Sequence, residues 1–217
     1  MSQSYVNKST TSDGKIMTEF FSDELIRPIL KRLHSKGSYK IAVLVGCVEG
    51  LTRHLTRYLA MGVPMRDIVI FEYDYATYIS LRDAVKRRGL KCQVIYGDLL
   101  HGVVDMAQNG TKWSFIEFDG VCQFGAFEFD LFEIVKQFNI PILVSQGSSR
   151  GQTKEVKGIA KSLKLKRRLV SGYKCFELIQ VASRIISRKL RGYKTDFFTY
   201  QGVSNMYMQV SIQKRLS

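Results

Sequence analysis

The sequence predicts a doubly wound α/β fold, in which a mostly parallel sheet carries helices on both faces and closes with a C-terminal antiparallel hairpin. Two observations carry this prediction. Five short apolar runs alternate with amphipathic segments of helical length between residues 41 and 144, and repeated strand–helix units build a parallel sheet covered on both sides. After residue 190, two segments instead alternate polar and apolar residues, which is typical of half-buried antiparallel strands.

The N-terminal part is predicted to be an arm followed by a helix. Residues 1–14 form a polar, flexible arm, and residues 15–217 form a single α/β domain, because 217 residues suffice for one such domain and are too few for two. Asp23 is expected to cap a helix that continues to about His34, with Pro28 in its first turns. Gly37 and Ser38 then break the helical pattern.

The parallel part of the sheet follows from the apolar runs, which are short and mostly apolar throughout, as in strands buried on both faces. The predicted strands cover residues 41–45, 68–71, 93–96, 113–118 and 141–144. The helices that follow the first four cover residues 51–61, 75–88, 99–107 and 124–138. The basic last turn before Gly89 suits a helix C-terminus.

The last third is predicted to hold two further helices and the closing hairpin. The helices cover residues 153–163 and 177–190, and the hairpin strands cover 194–200 and 206–213. Gly202, Ser204 and Asn205 mark the turn between these strands.

The composition is that of a soluble globular protein, with 45% hydrophobic and 24% charged residues. The N-terminus lacks the apolar run of a secretory signal, and no stretch reaches the roughly 18 apolar residues of a membrane span. The four cysteines are widely spaced, without a Cys-x-x-Cys pair, which argues against a zinc site and a disulfide framework. We therefore expect a cytoplasmic protein that has no metal and no membrane partner.

The positive charge is concentrated in the C-terminal third. The net charge is +14, but residues 1–150 contain 18 Lys and Arg against 16 Asp and Glu, whereas residues 151–217 contain 15 against 3. A segregated basic surface attracts phosphates. Aromatic residues are interleaved with these charges, which is typical of proteins that track a nucleic-acid backbone and stack its bases. The expected partner is therefore a nucleic acid, either DNA or RNA.

Glycine and acidic residues follow the ends of consecutive predicted strands. Gly46 and Gly50 follow the first strand, Glu72 the second, Asp98 the third and Asp119 the fourth. Because parallel strands point the same way, these residues should share one edge of the sheet, where doubly wound folds bind ligands. Carboxylates that lie close together repel each other, which is unfavourable for packing. Their pattern therefore indicates a binding site.

In this order the residues resemble the class I S-adenosylmethionine-dependent methyltransferases. The resemblance covers about residues 40–147 by motif order, and the closing hairpin by pattern. It implies S-adenosylmethionine as the cofactor, with the turn at Gly46 and Gly50 against its methionine part. It further implies that Glu72 holds the ribose. Asp98, with Leu99 beside it, is then expected to face the adenine.

The resemblance also implies a place for the acceptor. Asp119 matches the position where methyl transfer occurs, and it would position or deprotonate the acceptor. After the fifth strand, Arg150 lies in a Gly/Ser-rich loop and could orient an anionic substrate. The basic segment that follows supplies further candidate substrate contacts, Lys154, Arg167 and Arg168.

Two positions depart from the family's glycine turn. Leu44 stands where the family has an acid, and Val48 stands where it has the middle glycine. The leading interpretation is methyl transfer to a nucleic acid. A catalytically silent relative that serves as a nucleic-acid-binding or assembly module stays open, as does a methyltransferase acting on a protein or a small molecule.

Overall fold

The computed structural model describes residues 23–24, 26–28, 30–31, 40–123, 134–148, 192–201 and 206–214. Its strands are β1 (Lys40–Leu44), β2 (Ile68–Glu72), β3 (Gln93–Tyr96), β4 (Trp113–Gln123), β5 (Ile142–Ser148), β6 (Tyr193–Gln201) and β7 (Met206–Lys214). The α-helices with both ends among the described residues are α1 (Val48–Ala60), α2 (Tyr75–Arg87) and α3 (Leu99–Gln108). The described residues between 23 and 31, and residues 134–138, are also helical.

The seven strands form one sheet in the order β3-β2-β1-β4-β5-β7-β6. The first five strands run parallel to one another, and β7 pairs antiparallel with both β5 and β6. The chain reverses its direction of travel across the sheet after β3, which places a switch point between β1 and β4. The predicted doubly wound fold with a closing antiparallel hairpin is confirmed.

The core lies between the central strands and the helices packed on them. All five residues of β2 are buried, as expected for a parallel strand covered on both faces. One face of α1 presents Leu51, Leu55 and Tyr58 to the same core. Ile26 and Leu30, from the N-terminal helical residues, are fully buried in it as well. The N-terminal segment therefore packs as part of the core.

Most predicted element boundaries lie within a few residues of the observed ones, and two differ in a way that matters for the site. The fourth strand was predicted to end at residue 118, but β4 continues to Gln123 because it keeps pairing with β5, through a register shift after Asp119. The prediction that Asp23 caps a helix is wrong, because Asp23 is itself helical. Its carboxylate binds Arg57 of α1.

Several predictions concern residues outside those that the structure describes. They are the arm at 1–14, helices 153–163 and 177–190, most of helix 124–138, and the turn marked by Gly202, Ser204 and Asn205. Within the described ranges, no helix has the length and apolar character needed to cross a membrane.

Candidate functional site

The turn between β1 and α1 has a backbone that depends on glycine at two positions. Gly46 adopts a φ of +71°, a left-handed conformation that favours glycine, and nothing lies within 4 Å of the place where a Cβ would stand. Gly50 lies in the first turn of α1, where an added Cβ would come within 3.0 Å of the Val45 carbonyl oxygen. The turn therefore brings a helix N-terminus tightly against the end of β1 and leaves open space beside Gly46.

Cys47 caps α1. Its Sγ accepts the N–H of Gly50 at 3.3 Å, and its carbonyl accepts the N–H of Leu51 at 3.2 Å. The first N–H groups of a helix have no partner within the helix, and together with the helix dipole they favour a negatively charged ligand. Glu49, also in this first turn, is exposed. The turn thus offers both backbone donors and a side-chain carboxylate to a bound molecule.

Glu72 ends β2 with a carboxylate that is almost fully buried, at 6% exposure. Its Oε1 accepts the backbone N–H of Asp74 at 2.8 Å, which fixes the side chain at the strand end. Burial raises the pKa of Glu72 above its ordinary value, although the hydrogen bond from Asp74 opposes the shift. A buried, oriented carboxylate of this kind is well suited to accept hydrogen bonds from ligand hydroxyls.

Asp98 and Leu99 open α3 beside Glu72. The N–H of Gly97 donates to the Glu72 carbonyl at 2.9 Å, so the loop after β3 is tied to the end of β2. Oδ1 of Asp98 caps the helix, accepting the N–H groups of Leu100 and His101 at 2.9 and 3.0 Å. The cap uses one of the two carboxylate oxygens, and the Asp98 side chain is 41% exposed. Leu99 is buried.

Asp119 lies inside β4, where its Cα partner in β5 is Ser145. The sheet order places β4 next to β1 and β1 next to β2. Gly46, Glu72, Asp98 and Asp119 therefore come from four adjacent strands at the carboxyl edge of the parallel sheet, at the switch point where such folds bind ligands. This is the edge that the sequence predicted.

The predicted substrate contacts Arg150, Lys154, Arg167 and Arg168 lie outside the described residues. In the part of the chain that the structure describes, no three His, Cys, Asp or Glu residues come together as a group that could hold a metal ion. Cys47 and Cys92 are free thiols.

Sequence reasoning missed a buried ionic cluster under this edge. Glu117 of β4 is 4% exposed and accepts the Nη1–H of Arg57 at 2.8 Å. Its other oxygen accepts the hydroxyl of Tyr58, and Arg57 also donates to Asp23 from the N-terminal helical residues. One arginine thus joins the N-terminal segment, α1 and β4. The signal in the sequence is the single carboxylate within the apolar run 113–118.

The charges of this cluster stabilise one another. Burial alone would raise the pKa of Glu117, but the guanidinium of Arg57 and the nearby His54 hold it below its ordinary value. Burial alone would lower the pKa of Arg57, but the carboxylate of Glu117 raises it. Burial, with Glu117 close by, raises the pKa of Tyr58 well above its ordinary value. Glu117 and Arg57 are therefore ionised and Tyr58 is neutral at pH 7.

Comparison with known proteins gives structural likeness without sequence likeness. No protein-family model matches the chain, and no curated protein matches it by sequence. A Klebsiella pneumoniae protein described as an O-methyltransferase superposes with a TM-score of 0.52 at 10% identity, covering 96% of this chain and 83% of that one. The plantazolicin methyltransferase BpumL, solved with a desmethyl analogue of plantazolicin and SAH, gives 0.51 at 13% identity, covering 91% and 85%.

A third structure, an S-adenosylmethionine-dependent methyltransferase from Agrobacterium tumefaciens, gives a TM-score of 0.53 at 9% identity, covering 94% of this chain and 63% of that one. At these identities the likeness concerns the fold. The chain has the Rossmann-like fold of class I S-adenosylmethionine-dependent methyltransferases, as the order of its motifs indicated.

Proposed function

We propose that this protein binds S-adenosylmethionine at the carboxyl edge of its parallel sheet and transfers the methyl group to a nucleic acid. The observation that carries the proposal is the buried carboxylate of Glu72, held between the glycine turn after β1 and the Asp98 cap after β3. Three consecutive strand ends each contribute a group that suits a different part of a nucleoside-containing cofactor.

The residues present fit that cofactor. Gly46 leaves room for close approach of the methionine part to the backbone, next to the N–H groups of the first turn of α1. Glu72 would accept the ribose hydroxyls, as acids at this position do in nucleotide-binding sheets. Tyr73, which follows Glu72 and is 75% exposed, offers a ring face that an adenine could cover. The helix cap uses only one of the two carboxylate oxygens of Asp98.

The methionine part carries an ammonium group that calls for a negative partner. Leu44, at the end of β1, cannot provide one. Glu49, in the first turn of α1, is exposed and carries the only side-chain carboxylate between residues 44 and 50. We assign Glu49 as the partner of this ammonium group, because a carboxylate in the first turn of a helix is itself stabilised there by the helix dipole.

For the acceptor, the cofactor supplies an electrophilic methyl group, and the protein's part is mainly alignment. Asp119, in the strand beside the glycine turn, would position the acceptor or take its proton. The concentration of charge in residues 151–217 favours a polyanion, with Arg150, Lys154, Arg167 and Arg168 as phosphate contacts.

Transfer of a tritiated methyl group from S-adenosylmethionine tests this function. Total RNA, single-stranded DNA and duplex DNA are offered in parallel with a mixture of small phenolic and peptide acceptors. We expect label in a nucleic-acid fraction, and we expect Asp119→Asn to abolish transfer while cofactor binding persists. Label only in the peptide or small-molecule fraction would overturn the nucleic-acid acceptor and favour an acceptor of the kind that BpumL's structure contains.

The departures at Leu44 and Val48 favour a second candidate, a methyltransferase-like module that binds nucleic acid without catalysis. This candidate predicts salt-sensitive binding to nucleic acid with no binding of S-adenosylmethionine and no methyl incorporation. Titration of the cofactor separates the two candidates before any acceptor is known.

A further inference from the structure

Three tyrosines, two of them exposed and one half-buried, form a cluster at the β3 edge of the sheet. Tyr75 and Tyr78 lie in the first turn of α2, and Tyr96 ends β3. The ring centroid of Tyr96 lies 5.4 Å from that of Tyr75 and 5.4 Å from that of Tyr78. The centroids of Tyr75 and Tyr78 are 6.2 Å apart. We call these three residues the tyrosine cluster.

Packing does not account for the cluster. Tyr75 is 61% exposed and Tyr96 is 54% exposed, whereas the tyrosine and phenylalanines of the core, Tyr58, Phe71 and Phe115, are fully buried. β3 stands at the edge of the sheet, and its end residues Gln93 and Tyr96 are both exposed. Large rings gathered on a surface mark an interaction site more often than rings scattered singly do.

Positive charge continues the cluster along α2. Positions 75, 78, 82 and 86 share one face of the helix, and Arg82 and Lys86 on that face are exposed. The Arg82 guanidinium lies over the Tyr78 ring, 5.8 Å from its centroid. Arg82 also contacts Asp83 at 3.1 Å, but both side chains are about half exposed, so solvent screens that pair and a phosphate can replace it.

We propose that the tyrosine cluster, with Arg82 and Lys86, is a contact surface for single-stranded nucleic acid. Successive bases stack on the exposed rings, and Arg82 and Lys86 donate to the phosphates, a combination that tolerates any sequence. A duplex keeps its bases stacked on each other and has no base face to offer these rings. None of these five residues belongs to the basic C-terminal third of the sequence.

The position of the cluster gives it a role beside the proposed site. Tyr96 is the Cα partner of Glu72 across β2 and β3, and the following residue, Gly97, donates its N–H to the Glu72 carbonyl. A single-stranded nucleic acid bound to the tyrosine cluster therefore lies next to the edge of the sheet where we place the cofactor. As a description of the acceptor, this inference rests on the proposed function.

Fluorescence anisotropy of the full chain tests the proposal. The ligands are fluorescein-labelled single-stranded oligouridylate and oligothymidylate of about 16 nucleotides. Tyr75→Ala and Tyr96→Ala are each expected to weaken binding roughly 5- to 150-fold, the range for loss of one base–aromatic stack. Tyr75→Phe and Tyr96→Phe keep the rings and should bind as the wild type does. Leu59→Ala, which removes an exposed apolar side chain on α1, is the surface control.

Two further measurements make the result specific. Arg82→Gln should lower the slope of log affinity against log salt, because one fewer phosphate is neutralised. Calorimetric titration with S-adenosylmethionine is run on every variant, and the alanine variants should bind the cofactor as the wild type does. The proposed function fails if the wild type binds no cofactor, whereas the present inference fails on the anisotropy alone.

Three results would overturn the inference. The first is wild-type affinity for the oligonucleotides in both alanine variants. The second is a loss of cofactor binding in those variants that matches the loss of oligonucleotide binding, since the rings would then belong to the cofactor pocket. The third is a change of oligomeric state, seen by light scattering, with oligonucleotide binding intact, which would make the cluster an interface between copies of the chain.

Discussion

Replacing Glu117 with alanine is expected to destabilise the fold strongly, because it leaves the Arg57 guanidinium buried without its main counter-charge. Glu117 is 4% exposed, and the Arg57 side chain is 9% exposed. Removing one partner of a buried ion pair costs about 3–5 kcal/mol. In a chain of this length each kcal/mol lowers the melting temperature by about 2–4 °C, so the loss should be about 6–20 °C.

Thermal unfolding followed by circular dichroism measures the effect, and the chain contains a matched control. Arg82 and Asp83 form an ion pair in which both side chains are about half exposed, so Asp83→Ala should cost at most about 1 kcal/mol. Glu117→Gln keeps the shape of the side chain and one acceptor oxygen but removes the charge, so its cost should fall between the two. If Glu117→Ala and Asp83→Ala have the same melting temperature, the buried cluster does not stabilise the fold and this reasoning is refuted.

The same carboxylate gives a pH dependence whose sign is fixed. The pKa of Glu117 is lowered in the folded state, so its contribution is present above the unfolded pKa of about 4.3 and is lost as the pH falls through the folded value. The stability of the wild type should therefore fall more steeply with acid than that of Glu117→Gln. Parallel curves would contradict the buried, ionised state.

Three further predictions concern the site and its supports. Gly102→Ala places a Cβ into the Phe71 ring, and the resulting overpacking should cost about 1–3 kcal/mol, whereas an unchanged melting temperature would contradict the close packing of α3. Asp98→Ala removes the cap of α3 and should cost about 0.5–2 kcal/mol in chemical denaturation, with Asp98→Asn retaining most of the stability. The pKa of Glu72 is raised by burial, so the affinity for S-adenosylmethionine should fall as the pH drops through that raised value. If a Glu72→Gln variant shows the same pH profile as the wild type, the Glu72 carboxylate does not bind the ribose.

Local pattern was sufficient to predict the sheet. Runs such as Ile68–Phe71 are short and apolar throughout, which is typical of strands covered on both faces. The residues that follow such runs in a parallel sheet share an edge. This is why the glycine turn and the acids at Glu72 and Asp98 could be placed together from the sequence.

Long-range pairing decided what the sequence could not predict. Asp119 and Gly120 resemble the end of a strand, yet β4 continues to Gln123 because β5 supplies its hydrogen-bond partners. The partners of Glu117 are about 60 positions away, at Arg57 and Tyr58.

The tyrosine cluster depends on tertiary contacts in the same way. Tyr96 meets Tyr75 and Tyr78 only because β3 pairs with β2 and α2 packs beside them. The tyrosine cluster has no local sequence signature, and of the buried ion pair only Glu117 is marked locally, by the apolar run around it.

The central claim is that the edge formed by Gly46, Glu72 and Asp98 holds S-adenosylmethionine, and isothermal titration calorimetry tests it most directly. We expect saturable binding of both S-adenosylmethionine and its demethylated product at one site per chain, with Glu72→Ala weakening both. Glu24→Ala, on the N-terminal helical segment, serves as the matched control and should bind as the wild type does. Absence of binding at millimolar cofactor, in protein whose unfolding is cooperative, would contradict the account.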